Sequence, residues 1–203
     1  MEVKIVENAK ETQCDVLIIN KFEGKETSCE LVNRFAPESF EGKLGQVFVM
    51  HTQDKYPARQ ILAVGFGKEE EINNSIIREN TAKAIKKCAE IKAKTVAISF
   101  DTEYNYGGPA LLGASIANYH FDKYKNKKEH KICELYLSNV DKELVERAMV
   151  VSESMKLTRN LANEPAAYAT PTKLAEIAQS LEGIQTEIFN YAKAEEMGMG
   201  AFL

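Results

Sequence analysis

Three histidines, four cysteines and thirty acidic side chains are the groups from which this 203-residue chain could build a catalytic or metal centre. Their spacing does not assemble one. His51, His120 and His130 form neither H-E-x-x-H nor a paired His–Cys set, so each is expected at the surface or in a structural hydrogen bond. Cys14, Cys29, Cys88 and Cys133 stand far apart with no C-x-x-C pair and read as buried, reduced thiols. Beyond Asp141 there is no further aspartate, histidine or cysteine. The carboxylates there are glutamates on expected helices, with Glu164 in a loop and Glu187 on a short strand. A hydrolytic centre has little to work with in that region. No Ser-His-Asp arrangement follows from spacing, so no residue of 1–203 is assigned a catalytic, cofactor-binding or metal-ligating role.

Two glycine-containing stretches invite phosphate chemistry. VGFGK (64–68) carries only G-x-G-K, where a P-loop needs G-x-x-x-x-G-K-[ST] and a dinucleotide loop needs G-x-G-x-x-G before a helix. The acidic run at 69–71 would repel phosphate, and a plain turn at a strand end is expected. In YNYGGPALLG (104–113), Gly107 and Gly108 predict a flexible turn before Pro109 at a helix start, where an anion could bind. Gly113, Ala114 and Ala117 favour the plainer account, a helix packed closely against a sheet.

The longest lysine cluster, KYKNKKEHK (123–131), reads as a solvated helix end and turn. The chain's net charge of -4 provides no global basic field, so no nucleic-acid partner is expected. No run is apolar for long enough to span a bilayer, and MEVKIVENAK lacks the apolar region of a signal peptide. With reduced cysteines, this predicts a cytoplasmic protein with no membrane partner.

Strand and helix signals alternate along the chain that must position these groups. VKIVE (3–7), DVLIIN (15–20), QVFVMH (46–51), RQILAVGFG (59–67), TVAISF (95–100) and KICELYLS (131–138) predict strands. Helices are predicted over 28–36, 75–91 and 109–121. In the second of these, Ile77, Thr81, Ala84, Ile85, Cys88 and Ile91 share one face. Strand, helix and strand over 60–100 form a βαβ unit with a right-handed crossover and locally parallel pairing. The fold class is therefore α/β, a mixed, largely parallel sheet flanked by helices over residues 1–140.

Asp141 caps a linking helix to about Arg159, with Leu144, Ala148, Val151 and Met155 expected against protein. Pro165 ends it, and Thr170–Pro171 restarts a helix to about Leu181. TEIFN (186–190) predicts a strand, and AKAEEMGMG opens one more helix. One strand and two helices cannot bury their apolar faces alone, so 160–203 reads as an incomplete second α/β unit, cut rather than finished.

Four segments carry a family resemblance. RNLANEPAAYATP (159–171) followed by TKLAE resembles the opening of the catalytic domain in the leucyl (cytosol) aminopeptidase family. LLGASIANYHFDKYK (111–125) and ILAVGFGK (61–68) resemble a helix and an apolar strand of that family's N-terminal domain. EEMGMGAFL (195–203) is similar to the segment just upstream of its first catalytic strands. The pattern departs at Ala167, where the family usually has Asn.

The resemblance implies a macro-domain-like N-terminal domain (1–140), a linker helix (141–159) and a truncated start of a catalytic domain (160–203). It implies that the full-length enzyme is a homohexamer releasing N-terminal amino acids from peptides. Two divalent metals, Mn or Zn, would activate its water, held by motifs downstream of this sequence. The segment itself is expected to hold no metal and to be inactive, its N-terminal domain supporting assembly. Two other readings stay open: a stand-alone module binding nucleotide or ADP-ribose, and a pure assembly domain.

Overall fold

Among the residues described by the computed structural model, 1–202, six strands form one sheet. They are β1 (Glu2–Ile5), β2 (Val16–Phe22), β3 (Val47–His51), β4 (Gln60–Gly67), β5 (Thr95–Ser99) and β6 (Glu134–Leu137). Their order is β1-β6-β5-β2-β4-β3, every neighbouring pair being parallel except β3 with β4. The mixed, largely parallel α/β sheet expected from the sequence is thus present. One detail differs. β4 and β5 are parallel but are not neighbours, because β2 lies between them, with Ile18 beside both Leu62 and Ile98. Val16–Asn20 are buried without interruption, and a strand buried on both faces belongs in the middle of a sheet.

Alternation along the central strands divides the interior into two layers. Val16 and Ile18 of β2 point into one, together with Leu62 and Val64 of β4 and Ile98 of β5. That layer is closed by α2 (Asn74–Glu90), α3 (Gly107–Ala117) and the first turns of α4 (Lys142–Asn163). Leu17, Ile19, Ile61, Ala63 and Ala97 point into the other, against Leu31 and Val32 of α1 (Glu30–Phe35). The predicted inward face of α2 is the buried one, and Asn73 caps the helix by accepting from the Ser75 and Ile76 N–H groups.

Several expectations are corrected. The helix predicted to 121 ends at Ala117, because Asn118 turns to pair with the Ile132 backbone in both directions, at 2.9 and 2.8 Å. Gly107 and Gly108 are the first residues of α3 rather than a turn before it. A Cβ on Gly107 would sit 2.7 Å from Val140 and 2.8 Å from Val145, so the missing side chain lets α4 approach. That contact sets the rotation of α4. Val145 and Ala148 are buried, whereas Leu144 and Val151, expected inside, are 40% and 46% exposed. Cys14, Cys29 and Cys88 are buried as expected; Cys133 is exposed, one residue ahead of β6 beside an open cleft.

The chain divides into the units Met1–Leu157 and Thr158–Leu203, with Leu203 itself outside the described residues. In the second unit α5 (Pro171–Gln179) starts on a Thr170 cap and α6 (Tyr191–Glu196) on an Asn190 cap, as Thr-Pro and Asn at those positions dictate. TEIFN, expected to be a strand, takes no strand pairing. An extended segment needs a neighbouring strand to bond with, and none is present among the described residues of this unit. Ile188, Phe189 and Tyr191 remain exposed.

Two substitutions test this arrangement. Asp15 Oδ2 accepts from the backbone N–H groups of Lys94 (2.8 Å) and Thr95 (3.0 Å), tying the start of β2 to the start of β5. Burial opposes ionisation, but these donors outweigh it and hold the carboxyl below its ordinary range. A depressed carboxylate adds stability above its unfolded pKa, about 3.9, and loses it as pH falls through the folded value. Asp15→Ala is expected to cost roughly 1–2 kcal/mol at pH 7 in urea denaturation, a gap that narrows as pH falls through the folded-state pKa, below the ordinary carboxylate range. A gap that stays constant however far the pH is lowered would exclude the carboxylate's charge as its source. Gly113→Ala would put a Cβ 2.2 Å from the Arg78 carbonyl oxygen on α2, and should cost roughly 1–3 kcal/mol by thermal melting.

Candidate functional site

In an open parallel sheet, ligands bind where neighbouring strands send their connections to opposite faces. Here that place lies beyond the C-terminal ends of β2 and β5, since β2 leads to α1 on one face and β5 to α3 on the other. Asn20, near the end of β2, is buried. Its Oδ1 accepts from the Asp101 N–H at 2.6 Å, and its Nδ2 donates to the Asp101 carbonyl at 3.3 Å. The two strand ends are thereby clamped by one side chain.

The Asp101 carboxylate is also occupied. Oδ2 accepts from the Ser28 N–H at 3.0 Å and from the Ser28 hydroxyl, while Lys10 Nζ lies 3.3 Å from Oδ1. Lys10 comes from a 3-10 turn at Ala9–Glu11, and Ser28 from the loop before α1. Two distant segments therefore converge on one carboxylate, and its charge is neutralised internally. Asn33 locks the same loop by accepting from the Thr27 N–H (2.8 Å) and donating to the Thr27 carbonyl (2.7 Å). Burial, followed by a hydrogen bond with the Cys29 thiol, pushes the nearby Tyr56 phenol up to about 12, so it stays protonated at neutral pH.

Beside this clamp lies a shallow hollow of about 450 Å³ lined by Glu69, Asp101 and Glu103, with Thr102, Tyr104 and Ile72. Its charges are carboxylates, and Lys25 pairs with Glu69 at its edge. A phosphate-bearing ligand would meet repulsion there. Gly67, at the end of VGFGK, adopts φ +70° as β4 ends, the plain turn that the sequence predicts. Gly107 and Gly108 are buried in the packing of α3 against α4.

The histidines lie apart. His51 ends β3, 3.5 Å from the Gln60 amide; His120 Nε2 is 3.1 Å from Glu129; His130 Nε2 donates to the Ala93 carbonyl at 2.5 Å. None of these partners is a nucleophile. Among the described residues no group of three or more His, Cys, Asp or Glu is placed to hold a metal ion. The clamp of Asn20, Ser28 and Asp101 was not singled out from the sequence. Its one available signal was polar residues closing two apolar runs, DVLIIN and TVAISF-D.

Residues 3–128 match the pattern described as the cytosol aminopeptidase family, N-terminal domain. A probable cytosol aminopeptidase of Alkaliphilus oremlandii (strain OhILAs) is 28% identical over a 235-residue alignment covering 100% of this chain and 47% of that protein. One from Clostridium perfringens (strain 13 / Type A) is 31% identical, covering 98% of this chain and 45% of its own. The chain thus spans about half the length of these curated relatives. A solved mutant of tomato leucine aminopeptidase shares the fold with a TM-score of 0.79 at 18% identity, over 98% of this chain and 46% of that one. The bottromycin maturation enzyme BotP, in complex with Mn, does so with a TM-score of 0.76 at 20% identity, over 92% and 40%.

Because Asp101 joins three segments, Asp101→Ala should act on their order. We expect a loss of roughly 1–2 kcal/mol and faster amide exchange confined to 9–11, 23–29 and 101–106. Unchanged exchange in those loops would show that the clamp does not hold them.

Proposed function

This chain belongs to the cytosol aminopeptidase family, and from that premise we propose that it is the N-terminal, non-catalytic part of a metal-dependent leucyl aminopeptidase. The complete enzyme releases N-terminal amino acids from peptides. The observation that carries this reading is the match of residues 3–128 to the family's N-terminal domain. On it, residues 1–140 are that domain, 141–159 a linker helix, and 160–203 the opening of a catalytic domain. The exposed apolar side chains of the second unit, Ile188 and Phe189 among them, support an unfinished packing layer there.

In the complete enzyme a pair of divalent cations, Mn or Zn, would supply an activated water and polarise the scissile carbonyl. The residues present do not fit such a centre. Asp101 is consumed by Ser28 and Lys10, Asp122 by Lys131, and no metal-sized cluster of donors occurs among the described residues. No step of hydrolysis is therefore assigned to a residue of this chain. Its part in the enzyme is assembly into a homohexamer that works in the cytoplasm. The alternative, an ADP-ribose-binding module, gains no support from strand ends that present carboxylates.

The test is hydrolysis of leucine p-nitroanilide with added Mn or Zn, beside a full-length family member. The 203-residue chain is expected to show no chelator-sensitive turnover, since losing metal activation removes about 8 kcal/mol or more of barrier lowering. Turnover within a few orders of magnitude of the full-length control would overturn the reading.

A further inference from the structure

The concave surface beside the starts of β5 and β6 is chemically unlike the rest of the molecule. An open cleft of about 460 Å³ is bordered by Lys92, Lys94, Lys128 and Lys131, and an adjoining hollow shares Lys92 and Lys128 and adds Lys127. Across the chain acidic residues outnumber basic ones, 30 to 26. Here five lysines face two carboxylates, Asp122 and Glu129. Both carboxylates are already paired. Lys131 Nζ lies 2.9 Å from Asp122 Oδ2, Lys125 Nζ 2.5 Å from Glu129 Oε1, and His120 Nε2 3.1 Å from Glu129 Oε2. The Lys131 hydrogen bond holds Asp122 below the usual carboxylate range, so its charge is committed to that pair. Among the described residues Lys92, Lys94, Lys127 and Lys128 have no carboxylate partner.

Lysines often gather at a helix C-terminus because the last carbonyls attract cations. The end of α2 does not need them. Lys92 N–H donates to Ala89 O, Ala93 N–H to Cys88 O, and His130 caps the Ala93 carbonyl just beyond. The segment carrying the other lysines is likewise not the helix end that its sequence suggested, since α3 stops at Ala117 and 123–131 runs without regular structure. Lysines held together with no internal use leave an uncompensated positive field in a hollow.

We propose that this cleft binds a small oligophosphate anion. Ammonium groups are compact point charges suited to phosphate oxygens, and several converging on one hollow favour a ligand with several charges. No phenylalanine or tyrosine lines either hollow, and the two histidines that do, His120 and His130, direct Nε2 to Glu129 and to the Ala93 carbonyl, so lysine charge is the main feature that the site offers a ligand. The volume falls within the range of small-ligand sites, about 300–1,000 Å³. Such an anion is either free or the phosphate tail of a nucleoside triphosphate.

Calorimetric titration of the 203-residue chain with sodium tripolyphosphate at low ionic strength is expected to show one binding event that weakens as salt rises. Lys92→Glu combined with Lys128→Glu should weaken it at least roughly tenfold, while Lys55→Glu combined with Lys142→Glu, away from the cleft, should not. If the double reversal fails to fold, Lys92→Gln with Lys128→Gln should weaken binding several-fold. ATP binding as tightly as tripolyphosphate assigns the site to nucleotide tails; weaker ATP binding assigns it to the free anion. Cys133 gives a readout in the unaltered protein, because it lines the cleft and is exposed while Cys14, Cys29 and Cys88 are buried. Its alkylation by neutral iodoacetamide should slow several-fold in tripolyphosphate. The proposal is overturned by no binding at millimolar ligand, by equal losses from the distant reversals, or by unchanged Cys133 alkylation. A strong preference for long single-stranded nucleic acid over tripolyphosphate would also overturn it, in favour of an extended backbone track.

Discussion

Burial of β2 on both faces is the constraint from which the rest of the structure follows. Its first five residues, Val16–Asn20, lie inside with almost no exposure, so each face requires its own covering layer. Removing one Val, Leu or Ile side chain from water contributes about 1.5–3 kcal/mol, and β2 places four such aliphatic residues, Val16 to Ile19, in alternating directions. No single helix can cover both sides. The chain therefore sends α1 to one face and α2 and α3 to the other, and β4 and β5 flank β2 instead of each other. Gly113 and Gly107 have their place in the same demand, since helices that share a narrow layer must approach at backbone distance.

Sending connections to opposite faces opens a crevice beyond β2 and β5, where many α/β proteins bind their ligands. In this chain the crevice is filled by its own polar groups. Asn20 spans the strand ends, and Asp101 receives the Ser28 backbone, the Ser28 hydroxyl and Lys10. Asn20 and Asp101 thus each have partners, which avoids the desolvation cost of leaving them unpaired and spends their capacity to hold anything else. Charge is then sorted along the sheet. Carboxylates surround the C-terminal ends of the strands, and lysines without partners surround the N-terminal ends of β5 and β6.

The chain belongs to the cytosol aminopeptidase family, and among the described residues no group of three or more His, Cys, Asp or Glu is placed to hold a metal ion. It covers 47% and 45% of the lengths of the two curated relatives. The helices of the second unit are capped by Thr170 and Asn190, yet among the described residues TEIFN takes no strand pairing and Phe189 is exposed.

The sequence by itself determined the elements whose signal is local. The inward face of α2 followed from helical spacing, the start of α5 from Thr170 and Pro171, and the core strands from unbroken apolar runs such as DVLIIN. The family was also legible there, because it rests on motifs in a fixed order. What only the tertiary structure decided depends on groups distant in the chain. The position of β2 between β4 and β5 is one such feature, since sequence adjacency over 60–100 suggested direct pairing. The turn of α4 that buries Val145 instead of Leu144 is another, because a helix's apolar stripe leaves a choice that Gly107 makes. The clamp on Asp101 brings together residues 10, 20, 28 and 101, and the lysine cleft joins 92 and 94 to 127–131. Spacing along the chain shows only fragments of each, the polar residues closing DVLIIN and TVAISF-D and the lysines of 123–131, because charge and hydrogen bonding act through space and the fold alone sets those distances.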